Sequence, residues 1–177
     1  MPSVQLPKKE ALIVDDDVRA RELLSEFCRG QGFEVATAHD GRAAIAAISR
    51  DPKQFSVIVT DLHLPGADGF EVLRAARDAN PSVYVVMITG YASIDSAIRA
   101  VREGAYDYLA KPFALGQLEV VLARIKDRMA LEQENRELSK LVGGRDAAAL
   151  SSADLGWRLQ AIEERLAHIE ALLRTRG

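Results

Sequence analysis

The sequence predicts an α/β protein: a doubly wound, five-stranded parallel sheet followed by a helical C-terminal extension. Three observations carry that expectation. Short apolar runs alternate five times with helix-like patterns, the mark of stacked βαβ units. Two of the runs, Val57-Ile58-Val59 and Val83 through Ile88, are apolar without a break, as strands covered on both faces require. Finally, four of the runs lead directly into residues that can handle a metal ion or a phosphoryl group: Asp15 and Asp16, Asp61, Thr89 and Lys111. In open α/β sheets, ligands bind beyond the carboxyl ends of the strands, where strand order reverses.

The elements follow in order. The first strand is Ala11–Val14, after which Asp17 caps a helix over 18–30, its carboxylate matched to the helix dipole. Gly30 and Gly32 stop that helix, and a strand at Glu34–Ala38 and a helix at 41–50 follow. The third strand, Phe55–Thr60, runs into Asp61 and the turn sequence LHLPGADG, before a helix at 68–79 that Pro81 terminates. The fourth strand is Val83–Thr89, and a helix at 94–103 leads to the fifth strand, Ala105–Ala110, just before Lys111-Pro112. From Ala114 to Val142 there is no proline, and the sole glycine is Gly116, so one long helix is expected. At about 1.5 Å per residue it outreaches a small domain. Leu118, Val121, Leu122 and Ile125 can pack on the sheet, whereas Leu131, Asn135, Leu138 and Val142 recur at coiled-coil spacing.

Composition narrows the function classes. The chain has 177 residues, 48% hydrophobic and 28% charged, which suits a soluble domain with an extension. The net charge of −3 gives no reason to expect nucleic acid as a partner. No apolar run reaches the roughly 18 residues needed to span a bilayer, and the first ten residues lack a signal region. The single cysteine, Cys28, falls on an apolar helix stripe and reads as a buried, inert thiol. A cytoplasmic protein is expected.

The strand-end residues define the chemistry. Three carboxylates in one pocket repel each other and call for a small hard cation with oxygen ligands, such as Mg²⁺. The Thr89 hydroxyl and Lys111 ammonium would face an anion bound across that metal. The set suits transfer of a phosphoryl group onto a carboxylate. A phosphatase of the haloacid dehalogenase class also uses an aspartate after an apolar strand. It needs Asp-x-Asp, however, and the third position here is His63.

These motifs, over about residues 8–127, resemble the receiver domain of two-component response regulators: Asp15-Asp16, Asp61, Thr89, Lys111-Pro112, and Tyr108 three residues before the lysine. The stretch ITGYASIDSAIRAVREGAYDYLAKPF looks most like receivers attached to nitrogen-regulation-type activators. The resemblance implies a flavodoxin-like sheet of order 2-1-3-4-5. It implies that Asp61 accepts a phosphoryl group from a histidine kinase. Asp15, Asp16, Asp61 and the main-chain carbonyl of His63 would hold Mg²⁺, Thr89 and Lys111 would contact phosphoryl oxygens, and Thr89 and Tyr108 would form the switch. Such a protein is a phosphoacceptor switch with intrinsic phosphotransfer and autodephosphorylation, not an enzyme in the ordinary sense. The His63 imidazole would sit at the pocket rim, and Gly90 would leave room for the phosphoryl group beside Tyr91.

Beyond the receiver, the expected divisions are a helical extension at 128–142, a flexible linker at 143–153 and a short coiled coil at 154–176. In the last, Leu159, Leu166 and Leu173 take position a, and Leu155, Ile162 and Ile169 take position d. Arg158 and Arg165 at g would meet Glu163 and Glu170 at e of a parallel partner, so a parallel homo-oligomer is expected. Leucine at a with isoleucine at d favours three or four strands, while Asn135 favours two, and the number stays open. The chain contains no phosphate-binding G-x-x-x-x-G-K-[ST] motif, and residues 143–177 carry five arginines against five acids. The expected output is therefore contact with a downstream protein rather than DNA. The competing reading is a phosphotransfer intermediate or phosphate sink, and a third is a scaffold that is never phosphorylated.

Overall fold

The computed structural model describes residues 9–141. Ten elements alternate: β1 (Glu10–Val14), α1 (Val18–Gly30), β2 (Glu34–Ala38), α2 (Gly41–Arg50), β3 (Val57–Asp61), α3 (Gly69–Ala79), β4 (Tyr84–Thr89), α4 (Ile94–Arg102), β5 (Asp107–Ala110) and α5 (Leu115–Leu141). The strands form one sheet in the order β2-β1-β3-β4-β5. All four pairings are parallel. This is the parallel sheet that the alternation predicts, in the flavodoxin-like order that the resemblance implies. Every residue of β3 and β4 is buried, as their unbroken apolar runs require.

β1, β3, β4 and β5 each differ from expectation by one or two residues at a limit. β3 begins at Val57 and continues through Asp61, which pairs with Ile88, and β4 begins at Tyr84, because the Val83 amide closes a turn on the Asn80 carbonyl. β5 begins at Asp107, because the Ala105 amide turns back to the Ala100 carbonyl at the end of α4. Gly104, at φ +93, makes that turn possible.

Helix starts are set by side-chain caps. Asp17 accepts from the Arg19 and Ala20 amides, as its place before α1 predicts, and these bonds hold its carboxyl below the usual range. Asp68 and Glu71 form a reciprocal capping box at α3, and Ser93 and Ser96 form another at α4. Cys28 is fully buried on α1, and burial pushes its thiol up to about 11, which makes it inert.

The order of strands fixes where a site can form. β1 pairs with β2 on one side and β3 on the other, so strand order reverses between β1 and β3. Their carboxyl ends deliver Asp15 and Asp61 to that crevice.

The sheet and α1–α4 form one compact unit that ends at Leu115, and the second unit begins at Gly116. α5 is a continuous helix of 27 residues, as the proline-free run predicts. Leu118, Val121, Leu122, Ile125 and Met129 are buried, whereas Leu131 and Leu138 are exposed. Arg128 pairs with Glu132 one turn on. Among the described residues, no helix is long and apolar enough to cross a membrane. Val142, the linker at 143–153 and the coiled coil at 154–176 lie outside the described residues.

Candidate functional site

Three residues from three strand ends meet at the crevice. The Lys111 ammonium donates to Asp15 Oδ2 at 2.9 Å and to Asp61 Oδ2 at 2.5 Å. Both carboxylates are buried, Asp15 at 1% exposure and Asp61 at 8%. Burial alone would lower the lysine's pKa. The bonds to Asp61 and Asp15, and the charge of both carboxylates, outweigh it and hold Lys111 above its ordinary value. The Lys111-Pro112 peptide is cis.

The remaining oxygens of both carboxylates are aimed by the chain itself. Asp15 Oδ1 accepts from the Asp17 amide at 3.0 Å, and Asp61 Oδ1 accepts from the His63 amide at 2.9 Å. The loop after Asp61 is held tight behind it. Leu62 donates its amide to the Ile88 carbonyl, and Gly69 returns its amide to the Leu62 carbonyl. A Cβ on Gly69 would fall 2.3 Å from the Asp61 carbonyl oxygen, so only glycine lets α3 start this close to the strand end.

The other sequence-predicted residues are arranged around this corner. Asp16 follows Asp15 directly and is exposed, so of the three carboxylates two are joined through Lys111 and the third stands at the rim. Among the described residues, no three side chains of His, Cys, Asp or Glu form a ready metal cage. The donor set nonetheless fits a hard cation. Two buried carboxylates share one ammonium, and a third carboxylate and the main-chain carbonyl of His63 lie next to them in the chain. Mg²⁺ is ordinarily held by one or two carboxylates while it keeps several waters, so a closed cage is not required.

Thr89, at the end of β4, is fully buried, and its hydroxyl accepts from the Tyr91 amide at 3.1 Å. The register pairs Met87 with Tyr108 and Thr89 with Ala110. Alternation along the strands then puts Thr89 and Tyr108 on one face, one diagonal step apart. Tyr108 is buried, and burial raises its phenol pKa against the opposing effect of hydrogen bonds at Ser96 and Ser93. The charge of Asp61 adds to the rise, an electrostatic link between carboxylate and phenol.

Some features of the site were not read from the sequence. The exposed His63 ring meets Tyr91 edge-on, with centroids 5.1 Å apart, and Tyr91 is 78% exposed. Beside this pair lies a cavity of about 300 Å³, lined in part by Phe70, Ser96 and Arg99. Arg99 stacks over the Phe70 ring at 3.8 Å and also binds Glu103. Arg21 donates to the main-chain carbonyl of Asp15 at 2.7 Å, fastening α1 under the acid corner. The Tyr108 hydroxyl lies 2.7 Å from Ser96 Oγ.

The chain is similar to known proteins across this unit. Residues 11–123 match the family model described as the response regulator receiver domain. The nitrogen assimilation regulatory protein NtrX of Azorhizobium caulinodans is 35% identical over 75% of this chain and 29% of its own length. The response regulator protein FleR of Pseudomonas aeruginosa is 33% identical over 83% of this chain and 33% of its own. The chain thus spans about a third or less of the length of these curated relatives. Among solved structures, a receiver domain from Clostridium thermocellum superposes with a TM-score of 0.65 at 27% identity, covering 70% of this chain and 98% of that one. A Burkholderia pseudomallei response regulator, solved with a phosphorylated aspartic acid, a calcium ion and citrate, gives a TM-score of 0.59 at 30% identity, covering 74% of each chain.

Proposed function

The chain belongs to the response regulator receiver family, and from that premise we propose that Asp61 is its phosphoacceptor, charged by a histidine kinase. One observation carries this reading. Lys111 bridges Asp15 and Asp61, and of these two carboxylates Asp61 is the one followed by a glycine-tightened turn at the carboxyl end of the central strand. A carboxylate oxygen can act as a nucleophile toward phosphorus, and the Lys111 ammonium sits directly against that of Asp61. The same ammonium is placed to contact a phosphoryl oxygen once the carboxylate charge has been consumed in the acyl phosphate bond. Asp15, Asp16, Asp61 and the His63 carbonyl would hold Mg²⁺, which supplies charge neutralisation for the anionic oxygens during transfer. The Burkholderia structure contains both a phosphorylated aspartic acid and a calcium ion, which is consistent with a divalent cation in the proposed chemistry.

Receiver domains act as signalling switches, and the switch proposed here is the Thr89–Tyr108 diagonal. A phosphoryl group on Asp61 offers the Thr89 hydroxyl a charged acceptor for its proton, while its oxygen now accepts from the Tyr91 amide. Movement of Thr89 would free space beside the Tyr108 ring. Autodephosphorylation requires water to reach Asp61 past the His63–Tyr91 pair, which makes that pair the modulator of the phosphoryl lifetime.

The output proposed for the chain is protein contact through self-association. Leu131 and Leu138 lie seven residues apart and are exposed on α5, with Asn135 between them also exposed. That spacing suits a helix–helix seam. Domain limits of 8–127, 128–142, 143–153 and 154–176, and a cytoplasmic setting, are part of the same proposal.

Intact mass after incubation with a small phosphodonor and Mg²⁺ tests the acceptor. One added phosphate is expected, with complete loss in Asp61→Asn. Labelling that persists in Asp61→Asn refutes the assignment. Light scattering tests the output separately: a full chain that stays monomeric at tens of micromolar, where micromolar affinity would register, overturns self-association.

A further inference from the structure

The hydroxyl of Ser96 does more than cap a helix. Ser96 Oγ takes part in four hydrogen-bonding contacts. It donates to the Ser93 carbonyl at 3.0 Å and accepts from the Ser93 amide at 3.1 Å. It also lies 2.9 Å from Ser93 Oγ and 2.7 Å from the Tyr108 hydroxyl. A serine hydroxyl has one proton and two lone pairs. With its proton on the Ser93 carbonyl, the Tyr108 phenol becomes the donor to Ser96. Tyr108 is buried. Its hydroxyl therefore gains a partner inside the protein, and an unpaired buried hydroxyl would carry a desolvation cost.

We propose that Ser96 is a positioning residue that latches Tyr108 to the N-terminal cap of α4, so that the buried phenol is held in place before any phosphoryl group is bound. The inference rests on the Thr89–Tyr108 switch reading for its consequence, though not for the latch itself. If the buried Tyr108 is the arrangement that phosphorylation favours, a latch supplied by α4 populates it in advance. A ligand that selects that arrangement then binds more tightly, because less of its binding energy goes into moving the ring. The latch also names what reads the switch. A phenol that leaves Ser96 removes one of the partners of a hydroxyl that closes the first turn of α4, so the cap and the ring respond together.

The capping box allows the latch to be separated from simple helix stabilisation. Ser96→Ala removes the side-chain partner of Tyr108 and leaves its main-chain partner at Ser93, while Ser93 Oγ still accepts from the amide of residue 96. Ser93→Ala removes the cap side chain, while Oγ of Ser96 keeps the Ser93 carbonyl and Tyr108. Ser96→Thr retains a hydroxyl.

The experiment uses the full chain. The first readout is the ¹⁹F spectrum of protein labelled with 3-fluorotyrosine, with the Tyr108 resonance assigned by its absence in Tyr108→Phe. The second is the apparent affinity for beryllofluoride with Mg²⁺, a mimic of the phosphoryl group. Ser96→Ala should shift the Tyr108 resonance without any ligand and weaken beryllofluoride binding about fivefold, the scale of one neutral hydrogen bond. Ser96→Thr should restore both, Ser93→Ala should reproduce neither, and the affinity loss should vanish in a Tyr108→Phe background. An unmoved Tyr108 resonance in Ser96→Ala overturns the latch. So does a Ser93→Ala variant that matches Ser96→Ala in both readouts. If the unmutated protein fails to bind beryllofluoride, the phosphoacceptor reading fails, and the resonance arm still decides the latch.

Discussion

The two halves of the site are built from different materials. The acid corner, at the ends of β1, β3 and β5, is held by charge: Asp15, Asp61 and Lys111 in direct contact, with Gly69 packed against the Asp61 carbonyl. The hydroxyl corner, at the end of β4 and the start of α4, is held by neutral groups: Thr89 on a main-chain amide, and Tyr108 on Ser96. Behind Asp61 there is no room for even one carbon atom. At Gly90, directly after Thr89, an added Cβ would meet nothing within 4 Å. Charge pairs aimed by close packing favour one geometry, whereas neutral hydrogen bonds next to open space can be exchanged at little cost. The difference assigns fixed chemistry to the first corner and movement to the second.

The sharpest test of that contrast is a pair of glycines. Gly69 is the first residue of α3, where alanine is ordinarily the better helix former by up to about 1 kcal/mol. Gly69→Ala should nevertheless destabilise the protein, by about 3 kcal/mol in urea unfolding, because its Cβ meets main-chain atoms that cannot rotate away. Gly90→Ala should leave stability unchanged within about 0.5 kcal/mol. Phosphate uptake should fall with Gly69→Ala, and with Gly90→Ala the phosphoryl group should be the first thing to sense the added methyl. Equal stability losses at the two positions would erase the distinction between a packed corner and an open one.

Lys111 gives the next largest effect. Lys111→Met leaves two buried carboxylates without their shared cation, and should cost about 1–2 kcal/mol near neutral pH, the lower part of the range because the lysine is partly exposed. The sign with pH follows from the raised pKa of the folded state. The lysine's contribution is complete below the unfolded value of 10.5 and disappears as pH rises through the higher folded value. Unfolding free energies of protein and variant should therefore converge on the alkaline side. Tyr108, whose pKa is also raised, titrates in both proteins and cancels in the difference. A gap that stays constant from neutral to strongly alkaline pH would show that Lys111 acts through packing alone.

The same contrast explains what was legible in the sequence. Asp15, Asp61 and Lys111 announce themselves because charged residues at the ends of apolar runs have no structural reason to be there. The parallel sheet follows from the alternation, its strand order from the family resemblance, and the site from the reversal of that order. In the hydroxyl corner Thr89 is legible at its strand end and Tyr108 through the resemblance, but Ser96 gives no such signal. Serine and threonine are common at strand ends and helix caps, and Ser96 in IDSAIRAVR reads as an ordinary first-turn residue. Only the fold reveals that α4 starts where its cap can reach a phenol from β5. Strand limits at Tyr84 and Asp107 have a related reason: the Val83 and Ala105 amides are claimed by the Asn80 and Ala100 carbonyls, a competition that side-chain pattern does not record.

The smallest expected effect lies at the edge of the acid corner, and it asks whether charge or hydrogen bonding aims Asp15. Asp17 caps α1 through the Arg19 and Ala20 amides, and its own amide donates to Asp15 Oδ1. One residue thus ties the helix start to the carboxylate of the site. Asp17 is fully exposed and its pKa is lowered, chiefly by the Ala20 and Arg19 amides. Its contribution to stability is present above the unfolded value of 3.8 and is lost as pH falls through the lower folded one. Asp17→Asn keeps a capping oxygen and should lower the melting temperature slightly, less than Asp17→Ala, with no titration of its own in the acid range. Both variants keep the amide that aims Asp15, so phosphate uptake should stay near that of the unmutated chain. Loss of uptake in Asp17→Asn, with stability intact, would mean that the third aspartate of the run acts on the site through its charge, and the boundary between cap and site would have to be redrawn.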